Sequence, residues 1–108
     1  MKHVFEKTSG RLTLYFPNDV VSTNVDSFRK EVDALLDSDK AVSPDWKDIK
    51  LELTDARIVN SAGLNFMVTL VKRVKTRNGR VEAVISSEHI RRTLMFTRLD
   101  RQMKVVFN

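Results

Sequence analysis

A chain of 108 residues, 42% apolar and 31% charged with no cysteine, carries material for one globular core and excludes disulfide frameworks, thiolate catalysis and cysteine-built metal sites. Its net charge of +5 is split unevenly: residues 1–55 hold 8 Lys/Arg and 11 Asp/Glu, whereas residues 56–108 hold 11 and 3. That asymmetry points either to an acidic or nucleic-acid partner or to two halves that interleave in space and neutralise each other.

The first residues, Met1 to Lys7, lack the apolar run of a signal peptide, and no apolar run nears the ~20 residues needed to span a bilayer. The expectation is a cytoplasmic protein without a membrane partner. His3–Lys7 and Arg11–Phe16 read as strands joined by Thr8-Ser9-Gly10, and Pro17 ends the second. Asn18 suits a left-handed conformation. Val20 to Leu36 begins as a loop and becomes a helix, with Asn24 or Asp26 as its cap and Phe28, Val32, Leu35 and Leu36 as its apolar stripe. Asp37 to Trp46, with Pro44, is the longest connection, and Trp46 is expected to cover the core edge.

Ile49, Leu51 and Leu53 alternate with Lys50, Glu52 and Thr54, which is strand periodicity. From Leu64 the spacing turns helical: Leu64, Met67, Val68 and Val71 form a stripe that Phe66, Leu70 and Val74 widen. Ser61 is placed to cap this helix, and Thr76-Arg77-Asn78-Gly79 to end it in a left-handed turn. Arg80–Ser86 reads as a strand. Ser86 or Ser87 caps a further helix with Glu88 in its first turn, where Ile90, Leu94 and Met95 face inward, and Met103–Phe107 is the last strand. The order ββαβαβαβ predicts a single α/β domain over residues 1–108, a mixed, mostly parallel sheet with helices packed on it. Leu53, Leu64, Met67, Val71, Val81, Ile85, Leu94 and Leu99 are the expected core.

Catalytic and cofactor signals are absent. The three glycines have structural places, so neither a dinucleotide fingerprint nor a phosphate-cradling loop can be formed, and His3 and His89 are not spaced as metal ligands. No base accompanies Ser61 as a hydrolase would need. No cofactor, no metal and no enzymatic activity are expected. Lys72, Arg73, Lys75, Arg77 and Arg80 form a basic run without an acid, read either as a solvated helix end or as a patch for an acidic protein or nucleic acid. Ser61 has two readings as well. It is a plain N-cap worth ~1 kcal/mol, or a hydroxyl at a helix start, where the dipole and free N–H groups tolerate a phosphate.

The stretch Asn60-Ser61-Ala62-Gly63-Leu64, between a strand and a helix, resembles the signature of the STAS family, in particular of its small bacterial members, the anti-sigma factor antagonists. The tail Leu94-Met95-Phe96-Thr97-Arg98-Leu99-Asp100-Arg101, followed by Met103 to Phe107, is similar to the family's last helix, its Thr-x-Leu-Asp corner and its final strand. The resemblance covers nearly the whole chain and implies a STAS-type domain whose C-terminal helix is missing, leaving bare the edge it would cover. It implies a phosphorylation-controlled binding switch. The unphosphorylated protein sequesters an anti-sigma factor with serine kinase activity and frees a sigma factor, phosphorylation at Ser61 breaks the contact, and a serine phosphatase resets it. ATP belongs to the partner, and no nucleic acid is expected. The implied partner-binding surface is Asn60, Ser61, Ala62, Gly63 and Leu64, then Asn65 and Thr69 on the following helix, and Val20, Val21, Ser22, Thr23 and Asn24 in the facing loop. Two positions depart from the family: Asn60 stands where it has Asp, and Val21 where it has a second acid. The alternatives are an adaptor module of a signalling or transport complex that phosphate does not regulate, a nucleic-acid binder using the basic half, and an uncharted enzyme.

Overall fold

The structure, a computed structural model, describes residues 1–37 and 45–108. Pro44 and most of the connection before Trp46 lie outside the described residues. Two strands, β1 (Lys2–Glu6) and β2 (Arg11–Tyr15), form the opening hairpin. Then follow α1 (Val25–Asp37), β3 (Asp48–Leu53), α2 (Ser61–Lys75), β4 (Val81–Ile85), α3 (Glu88–Phe96), a 3-10 turn at Leu99–Arg101 and β5 (Lys104–Phe107). The sheet order is β1-β2-β3-β4-β5, antiparallel at β1–β2 and parallel at every later pair. The expected mixed, mostly parallel sheet is thus present.

Each parallel neighbour follows its predecessor through one helix. Right-handed crossovers in a single direction place all three helices on the same face. The period of two decides which strand residues meet them. Leu12, Ile49 and Val81 form one row across the sheet, Leu14, Leu51 and Ala83 a second, and Leu53 with Ile85 a third. All are at most 3% exposed and join one apolar cluster with Phe28 and Val32 of α1, Phe66 and Leu70 of α2, and Ile90 and Leu94 of α3. The other face carries Thr13, Lys50, Glu82 and Lys104 in register, with Lys50 Nζ 3.3 Å from Glu52 and Lys104 Nζ 3.9 Å from Glu82.

Several readings of the sequence shift here. The buried stripe of α2 is Gly63, Phe66, Met67, Leu70, Val71 and Val74, so Leu64 and Val68 are its half-buried flanks rather than its centre. Met95 is 51% exposed, not inward, because Ile90 and Leu94 already fill the i, i+4 stripe of this short helix. Asn18 is not left-handed, and the turn after α2 puts Asn78 in that conformation (φ 57°). Gly79 answers a different demand, since a Cβ there would lie 1.8 Å from the Lys47 carbonyl oxygen. Trp46 is buried at the core edge as expected, with the Arg77 guanidinium 4.0 Å over its ring. The basic run is not without acids: Arg73 donates to Asp33 and Asp37 of α1 at 2.9 and 2.8 Å, so the acidic and basic halves do meet in space.

Candidate functional site

In a parallel α/β sheet the helix N-termini collect at the C-terminal ends of the strands. Here three loops meet at that end and are bonded into one unit. Val20 N–H donates to the Ile58 carbonyl (3.1 Å) and Asn60 N–H to the Val20 carbonyl (3.3 Å), which makes an isolated parallel bridge between Val20 and Val59. The Asp19 carboxylate accepts from the Arg57 and Ile58 N–H groups at 2.7 and 3.1 Å. Ser87 Oγ donates to the Arg57 carbonyl at 2.7 Å while accepting from Ile90 N–H at 3.2 Å, which ties the start of α3 to the same loop. Ser87, of the two serines considered, is the cap of α3.

The cap of α2 is not Ser61. Asn60, extended at φ −90° and ψ −173°, occupies that position, and its Oδ1 accepts from Gly63 N–H at 3.2 Å. The bridge to Val20 fixes Asn60 in this backbone shape and leaves Ser61 as the first helical residue. Its side chain is exposed, and among the described residues no group bonds its hydroxyl. Asn in place of Asp therefore keeps the cap without the charge. Asn60 Nδ2 also reaches Ser22 Oγ across the loops, at 3.5 Å. Asn60→Ala is expected to lose ~1 kcal/mol, and Ser61→Ala to stay within ~0.5 kcal/mol of wild type, read by urea unfolding.

The close approach of the loops also explains Gly63. A Cβ there would stand 2.3 Å from the Val20 carbonyl oxygen and 2.8 Å from Val59 Cγ1. Any side chain would push the two loops apart, although glycine in a first helical turn otherwise weakens the helix.

The residues expected to bind a partner divide into two groups. Val20 and Gly63 are buried and act through the backbone. Asn24 turns inward: its Oδ1 accepts from Val21 N–H (3.0 Å) and its Nδ2 donates to the Asp19 carbonyl (2.6 Å), so it shapes the loop instead of capping α1 by its side chain. Ser22, Thr23, Ser61, Asn65 and Thr69 are exposed, and Val21, Asn60, Ala62 and Leu64 half-buried. Ser61, Leu64, Asn65, Val68 and Thr69 fall on one helix stripe by their i, i+3, i+4, i+7, i+8 spacing. Thr69 Oγ1 is already engaged, donating to the Asn65 carbonyl at 2.9 Å.

Two residues here were missed. Ile58, 45% exposed in the β3–α2 loop, is an apolar side chain open to solvent three residues before Ser61. Asp19 is the acid of the facing loop, two residues before the Val21 position. Its two backbone donors, Arg57 first and then Ile58, hold its carboxyl below the usual carboxylate value. A carboxyl whose folded value is depressed stabilises the fold fully above its ordinary value, and that contribution is lost as pH falls through the depressed one. The advantage of wild type over Asp19→Asn in thermal unfolding is expected to shrink as pH falls below about 4, the ordinary carboxylate value, and through the depressed one. Glu88, depressed by its bond to Arg91, titrates with the same sign in both proteins and drops out of that difference.

The STAS domain family model matches residues 3–108. No curated protein matches the chain closely enough to count as a relative. Among solved structures, a candidate anti-sigma factor antagonist from Thermotoga maritima is 23% identical over 99% of this chain and 86% of its own, with a TM-score of 0.83. An anti-sigma factor antagonist from Mycobacterium paratuberculosis is 13% identical over 97% and 84%, with a TM-score of 0.76. The antagonist SpoIIAA in its unphosphorylated form is 14% identical over 93% and 96%, with a TM-score of 0.63. The chain belongs to the STAS domain family, and its fold is that of the anti-sigma factor antagonists.

Proposed function

We propose that this STAS domain is a protein-binding switch and not an enzyme: it sequesters an anti-sigma factor that carries serine kinase activity, frees a sigma factor, and is itself turned off by phosphorylation at Ser61. The observation that carries this reading is the exposed Ser61 hydroxyl on the first turn of α2, unengaged among the described residues and on a helix stripe that continues through the half-buried Leu64 and Val68. Because Asn60 caps the helix, Ser61 can be modified without removing a bond that the fold needs. A phosphate there gains from the helix dipole while its charge, about −2, disrupts a packed protein contact. The antagonist fold of the structural neighbours supports the class of partner. A serine phosphatase resets the switch, and the cytoplasm is where these partners meet the protein. Among the described residues no helix is long and apolar enough to cross a membrane.

The test is intact-mass spectrometry of the protein after incubation with ATP and an anti-sigma factor kinase from its own organism. The expected result is one added phosphate, mapped to Ser61 and lost on substitution to alanine. No phosphate, with tight binding retained, would instead support an unregulated adaptor.

A further inference from the structure

The switch leaves part of the basic run unused, and that part gathers at the opposite pole of the sheet. Under the last turn of α2, at the N-terminal ends of the parallel strands, lies a cleft of about 460 Å³. Lys75 and Arg80 from the basic run meet Arg11, Arg101 and Lys104 around its rim. Its floor is Ile49, Val71, Val74, Val81 and Met103, each at most 7% exposed.

Two carboxylates share the rim and both are occupied. Asp48 accepts from Arg80 N–H at 2.8 Å, and Glu82 faces Lys104 at 3.9 Å. Lys75 Nζ reaches only the neutral Gln102, at 3.4 Å. Among the described residues Arg11, Arg80 and Arg101 have no carboxylate partner. The C-terminal end of α2 brings partial negative charge here, but its Val74 and Lys75 carbonyls already accept from the turn at 3.0 Å. Positive charge therefore dominates a concave site with an apolar floor. A duplex is held by a basic stripe along an open surface, whereas a cleft of this size fits a small molecule.

We propose that this cleft binds a small organic phosphate, its apolar body against Met103 and the aliphatic stems of the rim side chains and its phosphate held by Arg80 and Arg101. Guanidinium forks suit phosphate oxygens, and three unpaired arginines supply more charge than one carboxylate needs. The probe is phenyl phosphate, followed by amide chemical shifts of the whole chain. Saturable shifts are expected at Gly79 to Glu82 and Arg101 to Lys104, with the Ser61 pole unmoved. Inorganic phosphate, which lacks the apolar body, is expected to bind the same amides about five-fold or more weakly. The double variant Arg80→Gln, Arg101→Gln is expected to bind phenyl phosphate about ten-fold or more weakly at an unchanged melting temperature. Shifts that do not saturate, a double variant that binds as wild type does, or inorganic phosphate binding as tightly as phenyl phosphate would each overturn the proposal. A short DNA duplex that displaces phenyl phosphate from these amides at lower concentration than inorganic phosphate does would replace it with a nucleic-acid site.

Discussion

Met67→Ala is expected to lose ~2–5 kcal/mol of stability, read as a fall in the urea midpoint with unchanged slope. Met67 is 2% exposed and lies in the middle of the buried stripe of α2, in the apolar cluster that the sheet rows share. Removing its thioether deletes transfer energy and leaves a cavity that a packed sheet face cannot close. Leu64→Ala is the contrast. Leu64 is half-buried at the edge of the stripe, so less than about half of that loss is expected. Equal losses at the two positions would mean that α2 is rotated toward the face first read from its spacing, and a Met67→Ala loss under ~0.5 kcal/mol would remove Met67 from the core.

That contrast marks how far the sequence carries. Strand alternation was legible where it is cleanest, in β3, which buries Ile49, Leu51 and Leu53 and leaves Lys50 and Glu52 on the other face, and the element order then left little choice of sheet. The rotation of α2 was less so. Leu64, Phe66, Met67, Val68, Leu70, Val71 and Val74 are apolar around more than half of the helix, and only the sheet rows choose among them. The misassigned cap has a similar cause. Asn60 and Ser61 are both good N-cap residues, and the choice is made by a backbone bridge to Val20, forty residues earlier in the chain. Asp19 carried no signal beyond being a loop acid, because its partners are two backbone N–H groups that no side-chain pattern encodes. The serine itself, between strand and helix in a motif resembling a family signature, was legible from the start, and the structure adds that no group among the described residues bonds its hydroxyl.

That freedom makes the largest functional prediction asymmetric. Ser61→Asp is expected to melt at or slightly above the wild-type temperature. The new carboxylate sits in the first turn of α2, beside the free N–H groups and the positive end of the dipole, and α2 has no acid of its own there. The same variant is expected to bind the anti-sigma factor about ten-fold or more weakly, a change of about 1.4 kcal/mol or more. A charge on the stripe that Ser61 shares with Leu64 and Val68 must give up hydration when a partner packs over it. Ser61→Ala, with Asn60 still capping, is expected to match wild type in both melting and binding. Calorimetric titration of the three proteins against one partner separates the outcomes. If Ser61→Asp folds normally and binds as wild type does, Ser61 lies outside the contact, and phosphorylation there cannot be the switch.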